Sequence, residues 1–328
     1  MASYDKFSKD NVALVGSRDI AVFRNGEKVG RIPLGSLRQP SRMERLYSFG
    51  IISDPHIGET DATYANLRTA LTHFANDSDV KFSVNCGDLV NYVVDKSKTL
   101  PWFQSYRDIV LECSGGKSVF AIGGNHEPWA NDDIASFMKD YVGNQSVWYA
   151  KEFGNDIFLF LGVHTYATGK PDGVNTYQYQ DYPIEDVRAI HEYLDANKNK
   201  RCFVFQHIPI SEGHGDYDID GDYTIGFVPI SIYHHYKNIT VFHGHTHSPF
   251  SDHFANKGAN VNRDNGFRSV HVPSLGDHCE GYVVDVYEDG IHLRGLNFNT
   301  GYIPIASYWI DTALVDITED YIYKEKEV

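Results

Sequence analysis

The chain has 328 residues, 42% hydrophobic and 22% charged, which is ordinary for a globular protein and long enough for one large α/β core with additions. Its net charge of −15 excludes a general nucleic-acid surface, because an acidic field repels phosphate backbones. A small phosphorylated ligand remains compatible with that charge if bound cations offset it locally.

Residues 1–25 are polar and lack the apolar stretch of a signal peptide, and no later segment has the length of a membrane helix. Cys86, Cys113, Cys202 and Cys279 are dispersed, a pattern of free thiols in a reducing compartment. The expectation is a cytoplasmic chain without membrane contact, with a virion-associated or extracellular protein exported without a signal left open. Residues 1–44 stand apart as a β-rich extension. Within them, residues 19–32 alternate around Asn25-Gly26, a β-hairpin signal. A hairpin packed on the main domain is the favoured reading, since single hairpins need support. The other reading is an element for homo-oligomerisation or anchoring.

Five short apolar runs follow, and each ends in a polar cluster. Residues 48–52 lead to Asp54-Pro55-His56, and 81–86 to Gly87-Asp88. Residues 119–122 lead to Gly124-Asn125-His126-Glu127, 202–205 to His207, and 239–242 to Gly244-His245-Thr246-His247. Such β-branched and aromatic runs predict buried strands. Helices are predicted between them. Residues 61–76 place Leu67, Ala70, Leu71 and Phe74 on one face. Residues 101–112 begin with a proline suited to a first turn, and 184–197 carry Ile184, Val187, Ile190 and Leu194 at helical spacing. Glu288-Asp289-Gly290 predicts a hairpin turn in a strand-rich last third. Strands alternating with helices predict a two-sheet core covered by helices.

In open α/β sheets, ligands bind beyond the carboxyl ends of the strands, where all five clusters fall. The donor types are Asp54, His56, Asp88, Asn125, His207, His245 and His247. A structural zinc site takes four ligands, commonly with thiolates, whereas seven oxygen and nitrogen donors suit two first-row ions sharing a carboxylate. Two ions roughly 3.5–4 Å apart favour in-line displacement at phosphorus. The alternative, that these are ordinary core and loop residues, holds for any single histidine but not for the joint pattern. His164 and His243 read as buried, satisfied imidazoles rather than as parts of the site.

The order Asp-x-His, Gly-Asp, Gly-Asn-His-Glu, a lone His, then Gly-His-x-His resembles the calcineurin-like metallophosphoesterase superfamily, over about residues 45–300. The resemblance implies a four-layer α/β/β/α sandwich of two mixed β-sheets flanked by helices, here with an N-terminal β-hairpin extension and a C-terminal extension over 301–328 that packs on the catalytic domain. It implies that Asp54, His56, Asp88 and His247 hold one ion, and that Asp88 bridges to a second held by Asn125, His207 and His245. Metal-held hydroxide would attack phosphorus, and His126 would assist the leaving group. Glu127 fits the support of a neighbour rather than a ligand. Mn, Fe and Zn suit these donors alike.

Departures from the family's branches narrow the class. Purple acid phosphatases carry a tyrosine ligand three residues after the bridging aspartate, where this chain has Asn91. Phosphoprotein phosphatases use Gly-Asp-x-Val-Asp-Arg, against Gly87-Asp88-Leu89-Val90-Asn91-Tyr92 here. Gly-His-Thr-His-Ser resembles smaller phosphodiesterase-type members. Residues 216–222 match the first half of a calcium loop, but Phe227 stands where its bidentate glutamate belongs. An exposed loop over the site, with Tyr217 and Tyr223 lining a substrate pocket, is the better reading. The expected activity is hydrolysis of a small phosphodiester. A phosphomonoesterase, a non-catalytic binding or scaffold protein, and a structural module of an assembly such as a virion are the alternatives.

Overall fold

A computed structural model describes residues 11–15, 19–24, 27–33, 44–91, 96–144, 146–169, 177–208, 223–226, 233, 236, 239–252, 261–262 and 268–311. Strands β1 (Asn11–Val15), β2 (Asp19–Arg24) and β3 (Glu27–Pro33) form an antiparallel sheet. Arg24 of β2 pairs with Glu27 of β3, and the Asn25-Gly26 pair between them lies outside the described residues.

Two larger sheets carry the rest. The first runs β18 (Gly301–Asp311), β17 (Gly290–Asn297), β16 (Glu280–Val286), β4 (Tyr47–Ile52), β5 (Val80–Asn85) and β6 (Ser118–Ala121). The second runs β14 (Val261–Asn262), β15 (Arg268–His271), β13 (Ile239–His243), β11 (Cys202–Gln206), β8 (Asp156–Leu161) and β7 (Trp148–Phe153). Both are mixed: β4, β5 and β6 are mutually parallel, as are β8, β11, β13 and β15, while β16, β17 and β18 in the first sheet and β7 and β14 in the second join by antiparallel pairing. Outside them, β10 (Tyr177–Asp181) pairs with both β9 (Thr165–Gly169) and β12 (Tyr223–Gly226) in a small sheet.

The period of two along the strands sorts side chains into three apolar layers. Phe158 and Phe160 of β8 face Phe49 and Phe82 of the first sheet, and Phe203, Phe205 and Phe242 complete that shared aromatic core. The intervening Ile157, Leu159 and Leu161 turn the other way, onto helix α3 (Ile184–Ala196) through Ile190 and Leu194. On the opposite side, Leu67, Ala70, Leu71 and Phe74 of α1 (Asp61–Asn76) pack with Phe103, Tyr106 and Ile109 of α2 (Lys96–Cys113) over the first sheet. The result is helix, sheet, sheet, helix. That is the four-layer sandwich the sequence implied.

Two helical expectations need correction. Helix α2 begins at Lys96 rather than at Pro101, so the proline lies inside the helix. A proline near a helix start forfeits a single intrahelical bond, and burial of Thr99 and Phe103 on either side holds that first turn against the core. Ile184 opens α3 but is 60% exposed, because the inward stripe starts later, at Val187, and continues through Ile190 and Leu194. The turn before Gly290 is as expected, with Val286 paired to Ile291. The cysteines Cys86, Cys113, Cys202 and Cys279 are free thiols.

Buried charge is paired at the sheet end away from the five clusters. Arg201 reaches Asp156 with two donors at 2.9 and 2.6 Å. Asp285 on β16 accepts from Ser48 Oγ at 2.7 Å and Arg294 Nε at 2.8 Å. Burial pushes the Asp285 carboxyl up, but its bonds with His292 and Arg294 outweigh this and bring it from 3.8 to about 2. A depressed folded value contributes stability above the unfolded pKa, and that contribution is lost as pH falls from about 4 towards about 2. Asp285→Asn is therefore expected to cost about 2 kcal/mol at neutral pH. Urea unfolding of both proteins should show the gap closing as pH drops through that window; a pH-independent gap would rule out the electrostatic origin.

Candidate metal centre

All seven predicted donors lie at one end of the sandwich. Asp54 and His56 follow β4, Asp88 follows β5, Asn125 and His126 follow β6, His207 follows β11, and His245 and His247 follow β13. The parallel registers point these strand ends the same way. Backbone bonds then tie the loops together: Asp54 N–H donates to Gly87 O at 3.0 Å, His56 N–H to Asp88 O at 3.1 Å, and Gly244 N–H to His207 O at 3.1 Å. The two sheets meet where His245 N–H donates to Asp54 Oδ2 at 3.1 Å.

Backbone conformation marks the same residues. Among the described residues, the non-glycine positions with positive φ are Asp54 (51°), His56 (47°), Asp88 (50°), His245 (75°), His247 (57°) and Cys279 (54°). The left-handed region costs an ordinary residue roughly 1–2 kcal/mol, so five predicted ligands hold backbone strain together. Glycine serves them by close approach. Gly87 adopts φ +106°, and a Cβ on Gly124 would collide with the Asp88 carboxylate.

Two donor groups emerge. Asp54, His56, Asp88 and His247 form one, Asp88, His207 and His245 the other, with ligand atoms in each within 4.8 Å of one another. Asn125 joins the second, its Oδ1 3.0 Å from His207 Nε2 and 2.8 Å from His245 Nδ1. Tautomers show what these groups require. His207 Nδ1–H donates to the Cys86 carbonyl at 2.8 Å, which in the neutral ring leaves the Nε2 lone pair facing Asn125 Oδ1 and, at 3.2 Å, Asp88 Oδ2. His247 Nδ1–H donates to Asp277 Oδ2 at 2.8 Å, which in the neutral ring leaves its Nε2 lone pair 3.2 Å from Asp54 Oδ1 and 3.0 Å from His56 Nε2. With the rings neutral, acceptors face acceptors in a buried site, and either a proton on the ring or a metal cation between them relieves that. The donor set fits metal ions.

The electrostatics agree. Burial pushes the Asp54 carboxyl up, yet the charge of His207 and bonds from His247 and His56 hold it well below its ordinary value. Asp88 is lowered too, by His207 and His126 against burial. Conversely, burial lowers His207 and His247, but Asp88 and Asp54 raise the first to about 9, and bonds to Asp277 and Asp54 raise the second to about 11. Burial and the His207 charge drop His245 to about 3. This pocket holds positive charge tightly.

His126 lies beside the groups rather than in them. Its backbone N–H donates to Asp88 Oδ1 at 3.0 Å, its Nε2 is 3.7 Å from Asp88 Oδ2, and its ring meets His56 edge-on at 4.7 Å. Burial lowers its pKa. Glu127 is buried and accepts from Val90 N–H at 3.0 Å and Gly124 N–H at 2.9 Å, clamping the loops after β5 and β6. Burial, then the Asp88 charge, raises that carboxyl to about 8.

His243 is buried at the end of β13 beside His271, away from the donor groups. The residues that sequence reasoning missed are Asp277, Asn66 and His271. Asp277 supports His247, and Asn66 Nδ2 donates to the carbonyls of Leu275 and Gly276 at 3.0 and 2.9 Å. His271 Nε2 lies 2.8 Å from Thr246 Oγ1. No spacing signal marks them; only the strand order brings them near. The 216–222 loop lies outside the described residues.

A two-sheet sandwich with Asp, His and Asn donors at its strand ends defines a metal-binding α/β hydrolase. The sequence matches the calcineurin-like phosphoesterases over residues 47–249, and the chain belongs to that metal-dependent family of phosphoric-ester hydrolases. Among solved structures it is similar to the protein TT1561 of Thermus thermophilus, at 12% identity and TM-score 0.47, covering 81% of this chain and 99% of that one. A predicted phosphoesterase from Streptococcus pneumoniae matches at 10% identity and TM-score 0.36, over 81% and 97% of the two chains. A putative 5′-nucleotidase from Staphylococcus aureus matches at 12% and 0.43, over 84% of this chain and 56% of that one. No curated protein sequence matches. Among the described residues, no helix is long and apolar enough to cross a membrane.

Proposed function

We propose that the chain is a two-metal phosphodiesterase acting on a small phosphorylated substrate, with Asp54, His56, Asp88 and His247 holding one ion and Asp88, Asn125, His207 and His245 the other. The observation that carries this reading is the sharing of Asp88: its Oδ2 faces His207 Nε2 at 3.2 Å and His56 Nε2 at 3.7 Å, one from each group. When bound, first-row ions such as Mn, Fe or Zn would supply Lewis acidity towards the phosphate ester and towards water. The protein's own residues do the rest. Asp88 is fixed by the His126 N–H and Glu127 fixes its loop, which holds the shared carboxylate in place before substrate arrives. His126, partly open to solvent, is placed to protonate the departing oxygen, and a lowered pKa makes its charged form a stronger acid.

The preference for a diester rests on the Gly-His-Thr-His-Ser turn and on Asn91, which departs from both phosphatase branches considered above. A net charge of −15 supports a small substrate over a polyanionic one. With Mn²⁺ present, bis-p-nitrophenyl phosphate is expected to turn over with several-fold higher kcat/KM than p-nitrophenyl phosphate. The reverse order would make the protein a monoesterase.

A further inference from the structure

The turn Leu275–His278 lies beyond the family match, which ends at residue 249, yet it touches the donor groups at several points. Leu275 N–H donates to Ser53 O at 2.8 Å and Gly276 N–H to Asp54 O at 3.0 Å. Ser274 Oγ donates to Asp54 O at 3.2 Å and accepts from Asp277 N–H at 3.1 Å. At His247 the turn acts at both ends of the residue: Asp277 Oδ2 takes the Nδ1 proton at 2.8 Å, and His278 Nε2 donates to the backbone carbonyl at 2.9 Å. Helix α1 anchors the turn from behind through Asn66.

His247 needs this help more than its neighbours do. Its side chain is 36% exposed, whereas Asp54 and His207 are fully buried. Its backbone is held at φ 57°, and its ring meets His56 edge-on at 4.7 Å on the inner side. A hydrogen bond on Nδ1 is therefore the constraint that aims Nε2 at Asp54 and His56. A carboxylate on the far nitrogen also sets the tautomer and raises the basicity of the near one.

We propose that Asp277 is a positioning residue for the Asp54, His56, Asp88 and His247 group, holding His247 as the Nδ1–H tautomer with Nε2 directed inward, and that Ser274–His278 is a sixth segment of the site. This rests on the two-metal reading above. It predicts an unequal effect, because the side chain of Asp277 bonds to His247, a member of the first group alone.

The test is Zn²⁺ affinity measured by chelator competition on the full chain, for wild type, Asp277→Ala and Asp277→Asn. Wild type should show two affinities. Asp277→Ala should weaken one by about 10- to 100-fold and leave the other unchanged. Asp277→Asn, whose carbonyl can still accept the Nδ1 proton, should recover part of the loss. Nitrogen-15 spectra of the Zn²⁺-loaded histidines should show a single His247 tautomer in wild type and a loss of that signature in Asp277→Ala. Two unchanged affinities in folded Asp277→Ala would overturn the proposal while leaving the two-metal reading intact. A wild-type protein that takes up no Zn²⁺ would overturn both.

Discussion

On the two-metal phosphodiesterase reading, Asp88→Ala is expected to lower turnover by at least ~10³-fold and to reduce bound metal from two ions per chain to less than one. The size of the effect follows from where the two oxygens go. Oδ1 accepts the His126 N–H at 3.0 Å, and Oδ2 lies 3.2 Å from His207 Nε2, 3.7 Å from His56 Nε2 and 3.7 Å from His126 Nε2. Alanine leaves these imidazoles around a space with no anion, and Asp54 as the one carboxylate in the seven-residue set. Both donor groups lose a member at once, which no other single substitution does. Asp88→Asn keeps the shape and removes the charge, so it should fail nearly as badly. Elemental analysis beside a turnover assay reads both effects; full metal content in Asp88→Ala would deny the aspartate its bridging place.

His126→Ala should behave differently, losing ~10²- to 10⁴-fold in rate while keeping both ions. The imidazole belongs to neither donor group, so its removal leaves the donors in place. The loss should depend on the leaving group. An alkoxide must be protonated as it departs, whereas p-nitrophenolate is stable without a proton, so the variant should be far more impaired on an alkyl diester than on bis-p-nitrophenyl phosphate. Equal impairment on both, with metal retained, would move His126 from proton transfer to phosphate binding.

Much of this was legible in the sequence because strand-end chemistry is local. The runs at 48–52, 81–86, 119–122, 202–205 and 239–242 fall within a residue of β4, β5, β6, β11 and β13, and helix α1 spans 61–76 as its apolar spacing implied. The polar residues just past each run had to converge once those strands were parallel. What stayed hidden depends on contacts across the chain. Asp277 lies 30 positions from His247, and nothing in the intervening residues signals that β15 returns it to the same corner. The left-handed backbone at Asp54, His56, Asp88, His245 and His247 was equally invisible, since sequence points to such conformations through glycine and these are not glycines. The start of α2 was misread because a proline inside a helix carries the same letter as a proline that opens one.

The most direct test is the rate of bis-p-nitrophenyl phosphate hydrolysis by chelator-stripped protein as Mn²⁺ is added back. Two cooperating ions predict no turnover without metal and a rate that rises to its plateau only with the second equivalent. A plateau at the first equivalent, or full turnover in the stripped protein, would contradict the two-metal site.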